Sequence, residues 1–424
     1  MSVWRRILQR NIDSPKNTYR RLNVLVFSVI ISLLRQASLF VIVKKKRMRV
    51  LLISHTCQSQ TEGQPKAERL ALCEGLELCV LTPDRWLHYG KWRSSESSPN
   101  PGYRFEAGKV AWPWAGPAQF YLHWYPQLSK LIEEFQPDII DLWEEPWGLI
   151  SVQVCQLRNR CFPKVKILSE TEQNLDKRLP FPFESFRRYT LNNTDFAVGR
   201  NQESLNVLRS KGYSKATQVV PNAVDAKLFT SLDRKMCRQK LPFDGFVLGY
   251  VGRLVEEKGL LDMIEALPFC PEDVNLIFIG EGSFKAQMER RACELGKRRQ
   301  IHFLPAQPLK ALPEFMNAFD ALVLASRTTP RWKEQFGRVI IEAHACGVPV
   351  IGSDSGAIPE VIGKGGLIVP ERNPEALAAA IRQLYHDADL RSRLGAQGRL
   401  QVEEKYTWEC VAQQMHQIYQ EMIQ

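Results

Sequence analysis

The chain has 424 residues, 44% apolar and 24% charged, a composition of globular proteins with room for two or three domains. Its net charge of +11 is local: residues 1–47 hold eleven of the 57 Lys/Arg and a single acid, Asp13, leaving a nearly neutral remainder and excluding a nucleic-acid-binding body. Ten cysteines without a C-x-x-C pair exclude a cysteine zinc site and fit reduced structural thiols of a cytoplasmic protein.

In chain order, Leu22 to Val43 is an apolar stretch interrupted by Arg35-Gln36. It is long enough to span a bilayer, although a central Arg costs roughly 2.5–3.5 kcal/mol to insert. Met48-Arg49 then leads straight into "VLLIS". Residues 1–47 therefore read either as a membrane anchor or as an extension ahead of a misassigned start.

From residue 48 onward, short apolar runs alternate with helical patterns, the mark of parallel α/β units. Strands are expected at 50–54, 77–81, 138–142, 166–170, 196–199 and 217–220, and again at 246–252, 275–280, 301–304, 321–325, 348–352 and 367–369. Helices are expected at 258–266, 283–296, 373–385 and 389–403. The reading is α/β, with two doubly wound Rossmann-like domains, 48–221 and 222–405, facing each other across a cleft. The last segment, 406–424, is expected to form a helix that crosses back onto the first domain. In such sheets ligands bind beyond the carboxyl ends of the strands.

Two stretches of the second half stand at such ends. In "GYVGRLVEEKG" (249–259), Gly252 ends a strand, Arg253 follows, and Lys258 stands near the next helix. Arg offers a bidentate phosphate contact and Lys a point charge, though a surface turn uses the same residues. In "RWKEQFGRVIIEAHACGVPVIGSDSG" (331–356), Glu334 lies in a polar loop, Phe336-Gly337 opens a helix, and Glu342 follows about two turns in. The spacing itself says little, since Glu257/Glu265 and Glu281/Glu289 share it. The setting differs, because the unpaired N–H groups of a helix start hold anions or hydroxyls and each carboxylate suits a sugar diol. A solvated helix entry is the alternative. Neither "GYVG" nor "GEGSFK" (280–285) meets the dinucleotide fingerprint, and no phosphate-binding loop of the G-x-x-x-x-G-K type occurs.

Together, "VVPNAVD" (219–225), "GYVGRLVEEKG", "IGEGSF", "EQFGRVIIEAHACGVPVI" and "GAIPEVI" (356–362) resemble family 4 of the retaining glycosyltransferases (group 1), which have the GT-B fold. The resemblance is closest over 215–370 and extends over 48–424. "SRTTPRWKEQFGR" further resembles bacterial, cyanobacterial-like members of polysaccharide assembly.

The resemblance implies a hexosyltransferase-type enzyme with a nucleotide-diphosphate sugar as donor, a saccharide or lipid-linked saccharide as acceptor, and no metal or other cofactor. Domain 48–221 would bind the acceptor and domain 222–405 the donor. Arg253 and Lys258 would hold the diphosphate and stabilise charge on the leaving group, after the Gly252 turn. Glu334 and the amides of Phe336 and Gly337 would hold the donor sugar. Glu342 would take the ribose diol, and Gly280 and Gly282 would let the nucleotide lie close to the backbone. A cytoplasmic location, at the inner face of the plasma membrane if membrane-associated, follows from the same resemblance.

Two departures bear on the acceptor side. The loop after the first strand, 55–70, holds one glycine, Gly63, where relatives often have a pair. "DLWEEPWG" (141–148) stands where many have a histidine. Glu144 and Glu145 read either as partial replacements for that histidine or as exposed strand-end carboxylates, and His55 as an acceptor-side or a structural residue. "KRLPFPFESFRRY" (177–189) interleaves basic and aromatic residues; the favoured reading is a helix with aromatics inward and charges wet, the other a peripheral membrane contact. Rival functions are a non-catalytic nucleotide-sugar-binding subunit and a GT-B epimerase or hydrolase. A metal-dependent transferase is disfavoured, because the sole D-x-D, Asp387-Ala388-Asp389, falls in a helical stretch.

Overall fold

A computed structural model describes residues 47–424 except 89–90, 97–101, 113–115, 117, 240 and 242–243. The apolar stretch Leu22 to Val43 lies outside the described residues. Among those described, no helix is long and apolar enough to cross a membrane.

Near-continuous apolar runs build strands buried on both faces, as parallel sheets require. The first sheet contains β1 (Met48–Ile53), β2 (Leu76–Pro83), β5 (Arg104–Gly108), β6 (Ile139–Leu142), β7 (Lys166–Thr171), β8 (Phe196–Gly199) and β9 (Ala216–Val219). Its order is β5-β2-β1-β6-β7-β8-β9, with β1 parallel to both β2 and β6. The second contains β10 (Phe246–Val251), β11 (Val274–Ile279), β12 (Ile301–Leu304), β13 (Ala321–Leu324), β14 (Val350–Ser353) and β15 (Gly366–Val369), in the order β12-β11-β10-β13-β14-β15. Both are doubly wound. The strand order reverses between β1 and β6 in one sheet and between β10 and β13 in the other, and a crevice opens at each reversal.

Three strands lack an apolar signature in the sequence. β5 is a half-exposed edge strand, "RFEAG". The hairpin β3 (Arg85–His88) and β4 (Lys91–Ser94) forms a separate antiparallel pair. All ten cysteines lie among the described residues, and none is disulfide-bonded.

The helix Trp408–Ile423 packs on the first sheet. Val411, Ala412, Met415, Ile418 and Tyr419 join Val50, Leu52 and Leu168 in one core. Two chain crossings lie side by side between the domains, where the Val224 N–H donates to the Tyr406 carbonyl at 2.8 Å. Asp387 caps the helix Ala388–Gln401 through the Leu390 amide at 2.7 Å.

Residues 177–189 reverse the favoured expectation at two positions. Phe181 is 87% exposed while Arg187 is 2% exposed. Arg187 is drawn inward by Glu184 and the Lys177 carbonyl, which accept from its two terminal nitrogens. Phe183 turns to Tyr121, ring centres 4.8 Å apart.

Candidate active site

The cavity of interest lies at the β10/β13 reversal and measures about 330 Å³. Gly252, Arg253 and Lys258 line one wall, and Leu324, Glu334, Gln335, Phe336, Gly337, Arg338 and Val339 another, while Glu172 and Asn222 reach in from the first domain and the crossing segment.

Each wall is set by local structure. After β10 the chain turns at Gly252, and the Tyr250 hydroxyl donates to the Arg253 carbonyl at 2.8 Å. After β13, Arg327 forms a bidentate pair with Asp262, and Thr328 bonds the Glu371 carboxylate through its amide and hydroxyl. These bonds anchor the start of the loop 325–337. Further on, one oxygen of Glu334 accepts from Lys258 Nζ at 2.6 Å and from the Ser326 hydroxyl at 2.7 Å. Lys258 also lies 4.6 Å from the centre of the Trp332 ring. Gly337 begins the helix Arg338–Ala345 with φ +79°, and a Cβ there would meet Ile340 and Leu324 at 2.9 Å. A helix start with unpaired amides therefore faces two cations and a fixed carboxylate. That set of groups suits a diphosphate beside a polyhydroxyl group.

The structure thus brings Gly252, Arg253, Lys258, Glu334, Phe336 and Gly337 around one cavity; Gly280, Gly282 and Glu342 stand outside its wall. For the two glycines the structure gives a different reason from close approach of a nucleotide. A Cβ at Gly280 would fall 1.9 Å from the Gly252 carbonyl oxygen, and one at Gly282 would fall 2.0 Å from that of Leu254. They let two backbone loops touch, joined by the Leu254 amide to the Glu281 carbonyl at 2.9 Å. Glu342 is half-buried one turn beyond Arg338, and burial holds its carboxyl above the usual range, with Arg338 opposing.

At the β1/β6 reversal, His55 Nδ1 pairs with Glu144 at 2.8 Å, and the His55 amide donates to the same carboxylate at 2.6 Å. The imidazole stacks on Trp86 at 4.9 Å and meets Phe120 edge-on at 5.3 Å. Burial disfavours its charged form, but Glu144 outweighs this and raises the His55 pKa above its ordinary value, with help from Glu172. Burial likewise pushes Glu144 up, and His55 and His123 overcome it, so that carboxyl is lowered. Glu145 accepts from the Thr171 hydroxyl at 2.6 Å and the Glu172 amide at 2.9 Å, tying the ends of β6 and β7. Burial brings its carboxyl up to about 7, against those two bonds. Glu172, which lines the cavity at the β10/β13 reversal, adds to the raising of the His55 pKa.

Glu172, His123 and Trp86 carry no motif in the sequence, while Asn222, Ser326 and Trp332 lie inside quoted motifs without having been assigned a role there. Their placement depends on strands that pair far apart in the chain. The available signals were the motif "VVPNAVD" for Asn222, and for Ser326 and Trp332 the motif "SRTTPRWKEQFGR", which starts directly after the expected strand 321–325.

Two doubly wound domains with a charged cavity at the strand reversal of the second define the GT-B class of transferase. Comparison with known proteins agrees. The family model for glycosyl transferases group 1 matches residues 233–401. A D-inositol 3-phosphate glycosyltransferase of Corynebacterium jeikeium is 30% identical over 302 residues, 66% of this chain and 68% of that protein. Several other relatives are matched over about half of their own length. Among solved structures, sucrose-phosphate synthase of Thermosynechococcus elongatus superposes with a TM-score of 0.70 at 23% identity, covering 89% of this chain and 99% of that one. HepE of Anabaena, solved with UDP and glucose, gives 0.64 at 18% identity, covering 88% and 99%. The chain belongs to the group 1 glycosyltransferases.

Proposed function

We propose that the chain is a retaining, metal-independent glycosyltransferase. It transfers a hexosyl group from a nucleoside diphosphate sugar to a saccharide or lipid-linked saccharide acceptor in cell-surface polysaccharide assembly. The observation that carries this reading is the cavity at the β10/β13 reversal, where Arg253, Lys258 and Glu334 meet the start of the helix Arg338–Ala345. The UDP and glucose bound by HepE support a nucleotide sugar as the donor class. The capsular polysaccharide glycosyltransferase CapM of Staphylococcus aureus, 31% identical over 192 residues, supports the pathway class.

In the proposed reaction the bond between the sugar C1 and the diphosphate oxygen breaks. The acceptor hydroxyl forms the new C1–O bond on the same face, and its proton passes to the departing diphosphate oxygen. Arg253, Lys258 and the amides of the helix start stabilise the charge that develops there, the task a metal ion performs in other transferases. Glu334 orients the sugar by accepting from its hydroxyls, and Glu342 takes the ribose diol. His55 and Glu144 orient the acceptor from the first domain. The enzyme works in the cytoplasm, where nucleotide sugars are made, and at the inner membrane face when its acceptor is lipid-linked.

The test is transfer from UDP-, GDP- and ADP-hexoses to oligosaccharide and polyprenyl-linked acceptors, with chelator present and the product anomer read by NMR. Retained configuration is expected, with kcat lowered about 100- to 1000-fold in Lys258→Ala and Glu334→Gln. An inverted product, or activity abolished by chelator, contradicts the proposal. Donor hydrolysis without transfer would favour the hydrolase alternative.

A further inference from the structure

The loop that carries Glu334 is anchored at its start by its own domain, and at its end by the Ala357 amide of that domain together with two asparagines of the other. Asn174, just beyond β7, donates its Nδ2 to the Glu334 carbonyl at 2.8 Å. Asn201, at the start of the helix Gln202–Ser210, donates its Nδ2 to the Gln335 carbonyl. Glu203 accepts from Lys333 Nζ at 2.7 Å and from Asn174 at 3.2 Å. Both asparagines are buried, at 4% and 1% exposure. Their amide orientations follow from their partners: Asn201 Oδ1 accepts from the Ser204 amide at 2.8 Å, and Asn174 Nδ2 faces two acceptors.

The peptide unit is planar, so a fixed carbonyl fixes the N–H across the same bond. Asn201 sets the direction of the Phe336 amide by holding the Gln335 carbonyl. Asn174 shares with the Ala357 amide, which donates to the same oxygen at 3.1 Å, the holding of the Glu334 carbonyl and so of the Gln335 amide. The side chain of Glu334 departs from the residue so held. We infer that Asn174 and Asn201 are positioning residues for the donor sugar, and that the Lys333–Glu203 pair across the cleft supports them. The first domain thus completes the sugar-binding half of a site whose diphosphate-binding half, Arg253 and Lys258, belongs to the second domain alone. This rests on the donor-site reading above.

Asn201 also caps its helix, so the informative variant is Asn201→Ser. Serine keeps the capping oxygen but is too short to reach Gln335. In the full chain, Asn201→Ser and Asn174→Ala are expected to bind UDP or GDP within twofold of the wild type, whichever the wild type binds. The same variants are expected to lose at least tenfold in affinity for the corresponding hexose conjugate and in kcat, with the acceptor KM unchanged. Glu203→Lys and Lys333→Glu should each lower kcat, and the double exchange, which restores the ion pair but not the Asn174–Glu203 bond, should recover part of the loss. Wild-type-like transfer in Asn201→Ser, or equal losses for the nucleotide and its sugar conjugate, would overturn the inference. A wild type that binds no nucleotide would instead overturn the donor-site reading. Hydrogen exchange tests the positioning without any ligand. In Asn201→Ser the amides of 335–337 should exchange faster while the helix Gln202–Ser210 stays protected. Unchanged exchange at 335–337 refutes it.

Discussion

At the residue scale, side chains of the cleft take their character from partners distant in the chain. His55 and Glu144 are 89 residues apart, and each shifts the other against the effect of burial. The His55 pKa is raised above 6.5, so its contribution to stability is complete below 6.5 and is lost as pH rises through the raised value. The Glu144 pKa is depressed, so its contribution is present above 4.5 and is lost as pH falls through the depressed value. The pair therefore stabilises the fold in the interval between the two shifted values. Glu144→Gln removes the largest raising cause and leaves burial opposed only by Glu172 and Glu62, so the imidazole should titrate below its wild-type midpoint. An NMR titration of the His55 Cε1–H resonance checks this, and an unshifted midpoint contradicts it. The sequence showed both residues at strand ends but not that they pair, because the register of β1 with β6 decides it. Arg187 departs from its expected environment through a local partner instead, since Glu184 three residues earlier pairs with it.

At the scale of elements, the returning helix Trp408–Ile423 is a structural member of the first domain. Its Val411, Met415, Ile418 and Tyr419 are buried there, at roughly 1.5–3 kcal/mol for each large side chain. Their sum is comparable to the whole net stability of a typical domain, about 5–15 kcal/mol. Tyr419 further donates to buried Asp141 at 2.6 Å. Beside it, Lys66 and Arg200 pair with Glu170 and lie over the Trp143 ring at 4.4 and 5.0 Å. Deletion of residues 407–424 should abolish the thermal transition of the first domain and leave that of the second. Tyr419→Phe should cost about 1–3 kcal/mol by leaving a buried acceptor underbonded. A deletion that melts like the full chain would show that the helix is dispensable. This element was legible because its apolar residues recur at helical spacing. β5 was not, because an exposed edge strand needs no apolar run.

At the scale of the whole molecule, the sequence motifs cluster in the second domain, and they account for one half of the candidate site. The other half depends on contacts across 134 to 160 residues, made by asparagine side chains to backbone carbonyls. No periodicity or motif encodes such a contact, since any residue supplies the carbonyl. The central claim is that Arg253 and Lys258 bind the diphosphate of a nucleotide donor at the β10/β13 reversal. Calorimetric titration of the chain with UDP, GDP and ADP, alongside Arg253→Ala, tests it most directly. One nucleotide should bind, and the substitution should weaken it at least tenfold, about 1.4 kcal/mol. Folded protein that binds none of the three, or binds one equally well without Arg253, would contradict it.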